Sequence, residues 1–504
     1  MPALPAESQP ITPADAARLL TGRCFLIGIG GCGMSGLARE IIARGGRVRG
    51  VDATLTEVTG SLEREGVPVG VDDGAASIPD RCDAVIASAA VRQEHRLIRE
   101  ARRRRIPVLT YAEALGACMA GRTGVAVAGT HGKSTTAAIL GAALIEAGLD
   151  PSVIVGAESA ALAAPGEPAR GHRVGAGVIP AGPLAGKPGV FVAEACEFNR
   201  SFHRLRPTVA TIGSVEADHL DVYGSLDAVI EAFARFVRLL PGADEGGRLI
   251  IAHEGAHRRR VAAGARCAVE TIGVAPEADW RVRTGARGEV TLSRRGGRPL
   301  VWINPMPGEH NAMNAAIAAA AALTLGAGPG AVASALARFP GVRRRCERLG
   351  DRPLARGGSV RVYDDYGHHP TEIDATLRAV RAREGIDDRG GRLVCVFQPH
   401  QHSRTRFLLE DFARAFARAD EVIVPPIYFV RDSEVERSRV CSADLVERLG
   451  RAGVAASHEE TFEAIVDRLD RTLRPGDTLV VMGAGPVWKI ARSFMARAAR
   501  EPAA

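Results

Sequence analysis

The chain has 504 residues, of which 46% are hydrophobic, and carries a formal net charge of +7. Because a single hydrophobic core stops growing near roughly 250–300 residues, we expect several domains, most simply three. The basic residues are scattered and almost all arginine, so the charge does not favour nucleic acid as a partner. The nine cysteines include no Cys-x-x-Cys pair, which argues against a disulfide framework or structural zinc and favours a cytoplasmic protein.

No stretch of the chain predicts a membrane span. The first twenty residues lack a basic segment followed by an apolar core, and the alanine-rich run after Asn314 indicates a buried helix. We therefore expect no membrane insertion, and we expect the protein to be a monomer or a homodimer.

The first segment, 1–121, predicts a parallel sheet of the dinucleotide-binding type. "RCFLIGIGGCGMSGLAREIIARGG" gives an apolar strand, a glycine-rich turn and a helix, while "RVRGVDA" and "CDAVIASAA" give further strands. Gly28, Gly30 and Gly33 have the spacing of a turn that approaches a pyrophosphate, and Asp52 follows the second strand. This is formally a nicotinamide-dinucleotide fingerprint, but a substrate that carries a diphosphate would use the same glycines.

The second segment, 122–340, opens on "TGVAVAGTHGKSTTAAIL", a strand, a glycine-rich loop and a helix. The amides between Gly129 and Gly132 can form a nest for phosphate oxygens at the N-terminus of the helix. Lys133 would neutralise charge between the β- and γ-phosphates, and Ser134 would ligate Mg²⁺. Lys133 is one of only three lysines among 65 basic residues, which suggests a site that needs a compact ammonium group.

Acidic residues follow two later strands of this segment. Glu194 and Glu197 follow "GVFVA", and Asp218 and His219 follow "TVATI". At neighbouring strand ends these groups could carry a second Mg²⁺ or orient a reacting carboxylate, although each alone could equally cap a helix or be solvated.

Two further stretches complete the segment. Asn311 and Asn314 lie one helical turn apart in "GEHNAMNAA", which suits hydrogen bonds to an adenine edge or helix capping. The stretch 162–189 is so rich in Gly, Pro and Ala that we expect an exposed loop without regular structure.

The third segment, 341–504, predicts another series of strands that end in polar or glycine-rich turns. "VRVYDDYGHHPTEI", "RLVCVFQPHQHSRTR", "DEVIVPPIY" and "DTLVVMGAGP" each show this order, and ligands bind at such strand ends. Tyr366 and His368 lie in the first turn, where the spacing fits no zinc motif and favours recognition of a polar substrate. His400 and Arg404 follow the second strand, and an arginine fork suits a free α-carboxylate.

Together these motifs resemble one known family. "GIGGCGMSG", "GTHGKST", "EACE…SF", "ADHLD", "GEHNxxN", "DDYGHHPTE", "FQPH…SRT" and "GAG" occur in this order over nearly the whole chain, as in the Mur ligases of peptidoglycan synthesis. The resemblance implies an α/β protein with an N-terminal Rossmann-like UDP-binding domain, a central P-loop ATPase domain and a C-terminal Rossmann-like domain. It also implies ATP and Mg²⁺ as cofactors. "DDYGHHPTE" with "GTHGK" resembles most the members that join L-alanine to UDP-N-acetylmuramate through an acyl phosphate, releasing ADP and phosphate.

The resemblance also implies roles for individual residues. UDP-substrate binding is expected from Gly28, Gly30, Gly31, Gly33, Met34, Ser35, Asp52 and Ser88. ATP binding is expected from Gly129, Thr130, His131, Gly132, Lys133, Ser134, Thr135, Asn311, Asn314 and Arg345. The implied magnesium ligands are Ser134, Glu197 and His219, and the implied amino-acid contacts are Tyr366, His368, His400 and Arg404. The catalytic set implied is Lys133, Glu197, His219, His368 and Arg404.

The chain departs from the family pattern at several positions, none of which removes a phosphate or magnesium group. They are Val127, where a strict Walker loop has glycine, together with Val71, Gly213-Ser214, Cys346, Gln401 and Pro486. The reaction type therefore stays as expected, whereas uridine recognition and amino-acid choice are the properties that these substitutions affect.

Three alternatives remain at this stage. A sister ligase that attaches a recycled tripeptide to the same sugar nucleotide would share the ATP and UDP sites. A nicotinamide-dependent oxidoreductase would explain "GIGGCG" but leaves "GTHGKST" without a role. A non-catalytic nucleotide-binding regulator would bind ATP without substrate-dependent phosphate release.

Overall fold

The computed structural model describes residues 12–355, 357–430 and 432–497, within which the strands form three sheets in succession along the chain. Helices pack on each sheet, so the α/β fold predicted from the sequence is confirmed. The outer ends of the first and third predicted segments, 1–11 and 498–504, lie outside the described residues.

The first sheet is parallel and has the strand order β3-β2-β1-β4-β5. Its strands are β1 (Arg23–Ile27), β2 (Arg47–Asp52), β3 (Val69–Val71), β4 (Ala84–Ala87) and β5 (Val108–Thr110). Its helices are α1 (Pro13–Leu19), α2 (Cys32–Ala43), α3 (Glu57–Arg64), α4 (Arg96–Arg103) and α5 (Tyr111–Met119). The order reverses between β1 and β4, and ligands bind at such a switch point beyond the carboxyl ends of the strands.

The second sheet has the order β15-β14-β13-β12-β11-β10-β6-β9-β7-β8. Its strands are β6 (Thr123–Ala128), β7 (Ser152–Ser159), β8 (Arg170–Arg173), β9 (Val190–Glu194), β10 (Val209–Ile212), β11 (Arg248–Ala252), β12 (Ala268–Gly273), β13 (Trp280–Thr284), β14 (Glu289–Arg294) and β15 (Leu300–Ile303). Its helices are α6 (Lys133–Glu146), α7 (Leu220–Tyr223), α8 (Leu226–Val237), α9 (Arg258–Ala262), α10 (Glu309–Thr324) and α11 (Pro329–Ala337). Strands β9, β6 and β10 are adjacent and parallel, so the loops that follow them meet at one edge.

The third sheet has the order β16-β17-β21-β18-β19-β20 and is parallel apart from the β16–β17 pair. Its strands are β16 (Glu347–Pro353), β17 (Ser359–Asp365), β18 (Leu393–Phe397), β19 (Glu421–Val424), β20 (Ala455–His458) and β21 (Thr478–Met482). Its helices are α12 (Pro370–Glu384), α13 (Ile386–Arg389), α14 (His402–Phe407), α15 (Leu409–Ala415), α16 (Glu434–Arg437), α17 (Ser442–Arg451), α18 (Phe462–Thr472) and α19 (Trp488–Ala496).

Local sequence explains where α12 begins and ends. Pro370 occupies the first helical position, where its missing N–H costs no hydrogen bond, and Gly385 ends the helix with a positive φ of 55°. Glu372 completes a capping box with His369. The turn that carries His368 is therefore held directly against the start of this helix.

The alanine-rich run after Asn314 forms α10, and its residues from Ala315 to Ala322 are buried beside α6. Its small side chains allow the two helices to approach closely. Among the described residues no helix combines the length and the apolarity that crossing a bilayer requires.

The expectation of an irregular loop over 162–189 is wrong in part. Residues Arg170–Arg173 form β8, which pairs antiparallel with β7 at the edge of the second sheet. His172 and Ile179 in this stretch are buried. A glycine-rich strand lacks the alternating apolar pattern that makes strands visible in a sequence, and here tertiary packing selects the extended conformation.

Candidate active site

The glycine-rich loop predicted between β6 and α6 is present, and two of its glycines have conformations that other residues rarely adopt. Gly129 has φ 134° and Gly132 has φ 78°. A side chain at Gly132 would also overlap the Oδ1 atom of Asn314. Glycine is therefore required at this position by both the backbone and its surroundings.

Lys133 is folded back into this loop. Its Nζ donates to the carbonyl oxygens of Gly129 and Thr130 at 2.7 and 2.9 Å, and to Glu197 Oε1 at 3.0 Å. Burial alone would lower the pKa of Lys133, but the charge of Glu197 outweighs it and holds the pKa above its ordinary value. The lysine is thus a fixed cation at the start of α6.

An acidic cluster faces the lysine. Ligand atoms of Glu197, Asp218 and His219 lie within 4.8 Å of one another. His219 has a left-handed φ of 54°, an uncommon conformation for a residue other than glycine. Ser134 Oγ donates to Glu194 Oε2 at 2.9 Å. The resemblance implied Ser134, Glu197 and His219 as metal ligands. The structure groups Glu197 and His219 with Asp218, which the sequence had also indicated, whereas Ser134 donates a hydrogen bond to Glu194.

A cavity between the second and third sheets joins the loop to both asparagines. Gly132, Thr135, Asn311 and Asn314 line it on one side, and Arg345 on the other. Asn311 Nδ2 donates to the carbonyl oxygen of Pro307 at 2.8 Å, and Asn314 Nδ2 donates to Asn311 Oδ1 at 3.3 Å. The asparagines are thus fixed by each other and by the backbone while they border a space beside the phosphate loop.

His131, within the loop, lies between two carboxylates. Its Nε2 is 3.3 Å from Glu216 Oε2, and its Nδ1 is 3.2 Å from Glu372 Oε1. Burial by itself lowers the pKa of His131, but the two carboxylates raise it to about 9. Neither Glu216 nor Glu372 was singled out from the sequence. The Glu216 contact depends on β10 lying next to β6, and the Glu372 contact depends on how the second and third sheets pack together.

The four residues proposed for the amino acid come together at the ends of β17 and β18. The rings of Tyr366 and His368 are 5.5 Å apart, and those of His368 and His400 are 5.8 Å apart. Burial and the nearby Arg404 lower the pKa of His368 to about 3. Its Nδ1 lies 3.1 Å from the carbonyl oxygen of Tyr366, which can only accept, so the neutral ring donates there and keeps Nε2 as an acceptor.

Arg404 connects this group to the acidic cluster. Its Nη2 and Nε donate to Asp218 Oδ1 at 2.8 and 3.2 Å, and its Nη1 lies 3.3 Å from His400 Nδ1. Burial raises the pKa of Asp218, but the guanidinium of Arg404 outweighs it and holds that pKa below its usual range. The arginine that we expected to bind an α-carboxylate thus holds a carboxylate of the second sheet.

The glycine-rich turn of the first sheet lies at the predicted switch point. Gly28 has φ 77°, and a Cβ there would lie 2.9 Å from Ser88 Cβ. Asp52 Oδ2 accepts from the backbone N–H of Gly30 at 2.8 Å, and Gly31 is the N-cap of α2. Ser88, which follows β4, and Asp52, the last residue of β2, therefore border the turn as the sequence predicts.

Two of the residues expected to bind the UDP substrate, Met34 and Ser35, have a different environment. The side chains of Met34 and Ser35 are buried, and Ser35 Oγ donates to the carbonyl oxygen of Cys32 at 3.0 Å. A Cβ at Gly33 would lie 2.6 Å from Tyr111 Oη. Burial, followed by the charge of Glu194, raises the pKa of Tyr111, which packs against this turn.

Comparison with known proteins agrees with this arrangement. Residues 25–123 match the model described as Mur ligase family, catalytic domain; residues 127–322 match the Mur ligase middle domain; and residues 344–485 match the Mur ligase, glutamate ligase domain. The chain is 42% identical to the UDP-N-acetylmuramate–L-alanine ligase of Kineococcus radiotolerans, over 92% of this chain and 94% of the relative. It is 38% identical to the ligase of the same name from Thermobifida fusca, over 96% of this chain and 97% of that relative.

Solved structures show the same architecture. The crystal structure of the UDP-N-acetylmuramate–alanine ligase of Thermotoga maritima superposes with a TM-score of 0.72 at 25% identity, covering 94% of this chain and 98% of that one. A murein peptide ligase from Psychrobacter arcticus has a TM-score of 0.68 at 23% identity, covering 94% and 98%, and so shares the fold. The chain belongs to the Mur ligase family.

Proposed function

We propose that the protein is an ATP-dependent ligase that joins L-alanine to the carboxylate of UDP-N-acetylmuramate and releases ADP and phosphate. The observation that carries this proposal is the meeting of a phosphate loop, an acidic cluster and a histidine–arginine group at one place, where Arg404 joins Asp218. The relatives that match over nearly the whole chain are named for this reaction. The proposal places the enzyme in the synthesis of peptidoglycan precursors.

We assign ATP to the loop and cavity beside α6. The amides of residues 132–135, at the N-terminus of α6, would bind the phosphates, and Lys133 would neutralise the charge that develops on the γ-phosphate. Asn311 and Asn314 border the cavity in which the adenine would lie, and Arg345 borders it from the third sheet. Thr130 and His131 support this loop, because their backbone N–H groups donate to the carbonyl and hydroxyl oxygens of Ser214 at 2.9 and 3.0 Å.

The acidic cluster suits Mg²⁺. Glu197 and Asp218 offer carboxylate oxygens, the ligand type that Mg²⁺ prefers, and His219 offers an imidazole, which is less usual for this ion. We propose that Glu197 and His219, with Ser134, hold Mg²⁺ next to the phosphates. Bound there, the ion would neutralise charge on the transferred phosphoryl group.

A carboxylate is a poor electrophile, so it must be activated before an amine can attack it. An oxygen of the muramoyl carboxylate attacks the γ-phosphorus, the bond to the bridging oxygen of ADP breaks, and an acyl phosphate forms. The amine of L-alanine then attacks the acyl carbon, the carbon–oxygen bond breaks, and phosphate leaves while the amine loses a proton to solvent. The protein chiefly positions the reactants and stabilises charge.

His368 would orient the amine in this scheme. With a pKa of about 3 its ring stays neutral near pH 7 and is too weak a base to remove the proton itself. Its Nε2 can still accept a hydrogen bond from the amine, while Tyr366 and His400 flank the ring. Arg404 would contribute positive charge beside the α-carboxylate while it keeps Asp218 in place.

The UDP moiety is assigned to the turn of the first sheet. Gly28, Gly30 and Gly33 would let the backbone approach the diphosphate, and Asp52 and Ser88 border the same space. We propose that the sugar end of the substrate extends from this turn toward Lys133.

Phosphate release tests the proposal. The protein is supplied with ATP, Mg²⁺ and UDP-N-acetylmuramate, and release is compared with L-alanine, with the recycled tripeptide and with no amino acid. Release that requires L-alanine supports the proposal, whereas release with the tripeptide alone would assign the sister reaction. Titration with NADH is the second arm, because binding at the first turn would favour the oxidoreductase alternative.

Three further properties complete the proposal. We place the domain boundaries at 1–121, 122–340 and 341–504, which keep each sheet within one domain. We place the protein in the cytoplasm, a location that suits nine cysteines that are all free. We propose a monomer or a homodimer, which sedimentation would distinguish.

A further inference from the structure

Glu372 lies in the first turn of α12 and uses one carboxylate oxygen to hold the turn that carries His368. Its Oε2 accepts from the backbone N–H groups of His368 and His369 at 3.0 and 3.3 Å. His369 is the N-cap of α12, whose N–H has no intrahelical partner, and His368 lies one residue before it. This oxygen therefore fixes the backbone on the amino-acid side of the site.

The other oxygen of the same carboxylate reaches the ATP loop. Glu372 Oε1 lies 3.2 Å from His131 Nδ1, and the opposite nitrogen of His131 faces Glu216 Oε2 at 3.3 Å. Carboxylates at both nitrogens favour the doubly protonated ring, so the contact is a charge-assisted hydrogen bond. The side chains of His131 and Glu372 are each 15% exposed, so water screens this pair little.

A second link runs beside the first. Thr371 Oγ1 donates to Glu216 Oε2 at 2.7 Å, and the backbone N–H of Glu216 donates to Thr130 Oγ1 at 2.9 Å. The start of α12 is thus tied to two consecutive residues of the loop, Thr130 and His131. Both ties cross from the third sheet's domain to the second.

The group formed by His131, Glu216 and His369 is explained better by ion pairing than by metal binding. Ligand atoms of His131, Glu216 and His369 lie within 4.8 Å of one another. However, both nitrogens of His131 already face carboxylates, and His369 Nδ1 accepts from the backbone N–H of Thr371 at 3.3 Å. His369 must then carry its proton on Nε2, so both rings present donors where a metal would need lone pairs.

We propose that Glu372 is a positioning residue that couples the ATP loop to the His368 turn, so that the nucleotide site and the amino-acid site adopt their working geometry together. This inference rests on the proposed function, because it takes the two sites to be those for ATP and L-alanine. It assigns Glu372 no contact with a reacting atom. Its effect passes through His131 on one side and through the backbone of His368 on the other.

The test compares Glu372→Gln, His131→Gln and the double variant. Glutamine at 372 keeps an acceptor oxygen for the backbone of His368 and His369 but cannot form the ion pair. If the coupling exists, each single variant raises the KM for both ATP and L-alanine by about tenfold, and the double variant is hardly worse than either single one. If Glu372 only caps the helix, Glu372→Gln would raise the KM for L-alanine alone and His131→Gln the KM for ATP alone. The losses in the double variant would then be additive.

Two controls keep the outcome interpretable. Asp444→Asn removes the charge from another capping box of the same domain, where Asp444 Oδ2 accepts from the backbone N–H of Cys441 at 2.7 Å, and should leave both KM values unchanged. Thr371→Val removes only the hydroxyl link to Glu216 and should act like Glu372→Gln but more weakly. If Glu372→Gln does not fold, as judged by circular dichroism, Thr371→Val decides the matter.

The result also separates this inference from the proposed function. If the parent protein shows no phosphate release that depends on L-alanine, the proposed function fails. If the parent is active but the effects of the two single variants stay on separate substrates and add, the function stands and the coupling role of Glu372 is overturned.

Discussion

The chain contains two glycine-rich turns that look alike in the sequence and differ in their surroundings. The first, 28–33, joins β1 to α2, and the second, 129–132, joins β6 to α6. In both, glycines adopt positive φ angles next to a helix N-terminus. Each is thus a suitable place for a phosphate group.

The surroundings differ in charge and in the number of domains that take part. The first turn is held mainly by its own domain, through Asp52, with α2 resting on the second sheet. The second turn contains His131 and runs directly into Lys133, the first residue of α6. Carboxylates contact both side chains, including Glu372 from another domain.

The difference indicates what each phosphate does. A turn without a cation can bind a diphosphate that stays intact, since backbone N–H groups suffice for recognition. A turn with a fixed ammonium group, facing acids able to hold Mg²⁺, suits a phosphoryl group that is transferred and accumulates charge. Glycine spacing alone predicts a phosphate in both places, and the contacts around the glycines distinguish binding from transfer.

The largest expected effect comes from removing the cation that distinguishes the second turn. Lys133→Ala should lower the rate of L-alanine-dependent phosphate release by roughly 1,000-fold, because negative charge in the transition state loses its counter-charge. Lys187→Ala is a matched control, since Lys187 is exposed in the 162–189 stretch. Activity of Lys133→Ala within tenfold of the parent would contradict the role of this lysine.

A pair of glycine variants tests whether the two turns bind different substrates. Gly132→Ala places a side chain against Asn314 at φ 78°, and Gly28→Ala places one against Ser88 at φ 77°. Each conformation costs an L-residue about 1–2 kcal/mol. We expect Gly132→Ala to raise the KM for ATP and Gly28→Ala the KM for UDP-N-acetylmuramate, each by tenfold or more. An increase in the same KM from both variants would show that the division between the turns is wrong.

Much of this fold could be predicted because the signals are local. Apolar runs that end in glycine or in a polar residue identify β1, β6, β17, β18 and β21, and their order along the chain predicts the alternation of strands and helices. The strand β8 was missed because Arg170–Arg173 contain one glycine and two arginines, a composition typical of a loop.

The site could be predicted only to the extent that a residue acts within its own motif. Lys133, Gly132 and Asn314 are recognisable because the sequence around each of them is itself typical of a nucleotide-binding loop or helix. Asp218 and Glu372 act through partners in a different domain, Arg404 and His131. Those pairings depend on the order of neighbouring strands and on how the domains pack, and a single sequence states neither.

A smaller effect is expected from the contact that joins the two domains at Asp218. Arg404→Ala leaves the buried carboxylate of Asp218 without its partner and removes positive charge beside His400. The KM for L-alanine should rise by roughly tenfold and more than the KM for ATP, since Arg404 makes no described hydrogen bond to the ATP loop. Arg406→Ala, on the same helix but paired with Glu436, serves as control. A larger change in the KM for ATP would remove Arg404 from the amino-acid site.

The smallest effect concerns two histidines, one beside each turn, whose pKa values are shifted in opposite directions. His131 in the second turn has its pKa raised from 6.5 to about 9, since two carboxylates outweigh the effect of burial. His172 packs against Gly36 in the helix that follows the first turn, and burial with the charge of Arg39 lowers its pKa to about 4.

The signs of the two shifts give separate pH windows. The stabilisation from protonated His131 is fully present below pH 6.5 and is lost as the pH rises toward about 9. Neutral His172 contributes above pH 6.5, and that contribution is lost as the pH falls toward about 4. Each is worth at most about 3 kcal/mol, from 1.36 kcal/mol per pKa unit.

Melting temperatures measured across the pH range check the contributions of both His131 and His172 to stability. Relative to the parent, His131→Gln should flatten the Tm profile above pH 6.5, and His172→Gln should flatten it below pH 6.5, each by a few degrees. If His131→Gln altered the acid side instead, its ring would be neutral in the folded protein. Glu372 would then hold the second turn by an uncharged hydrogen bond, and the electrostatic contrast between the two turns would rest on Lys133 alone.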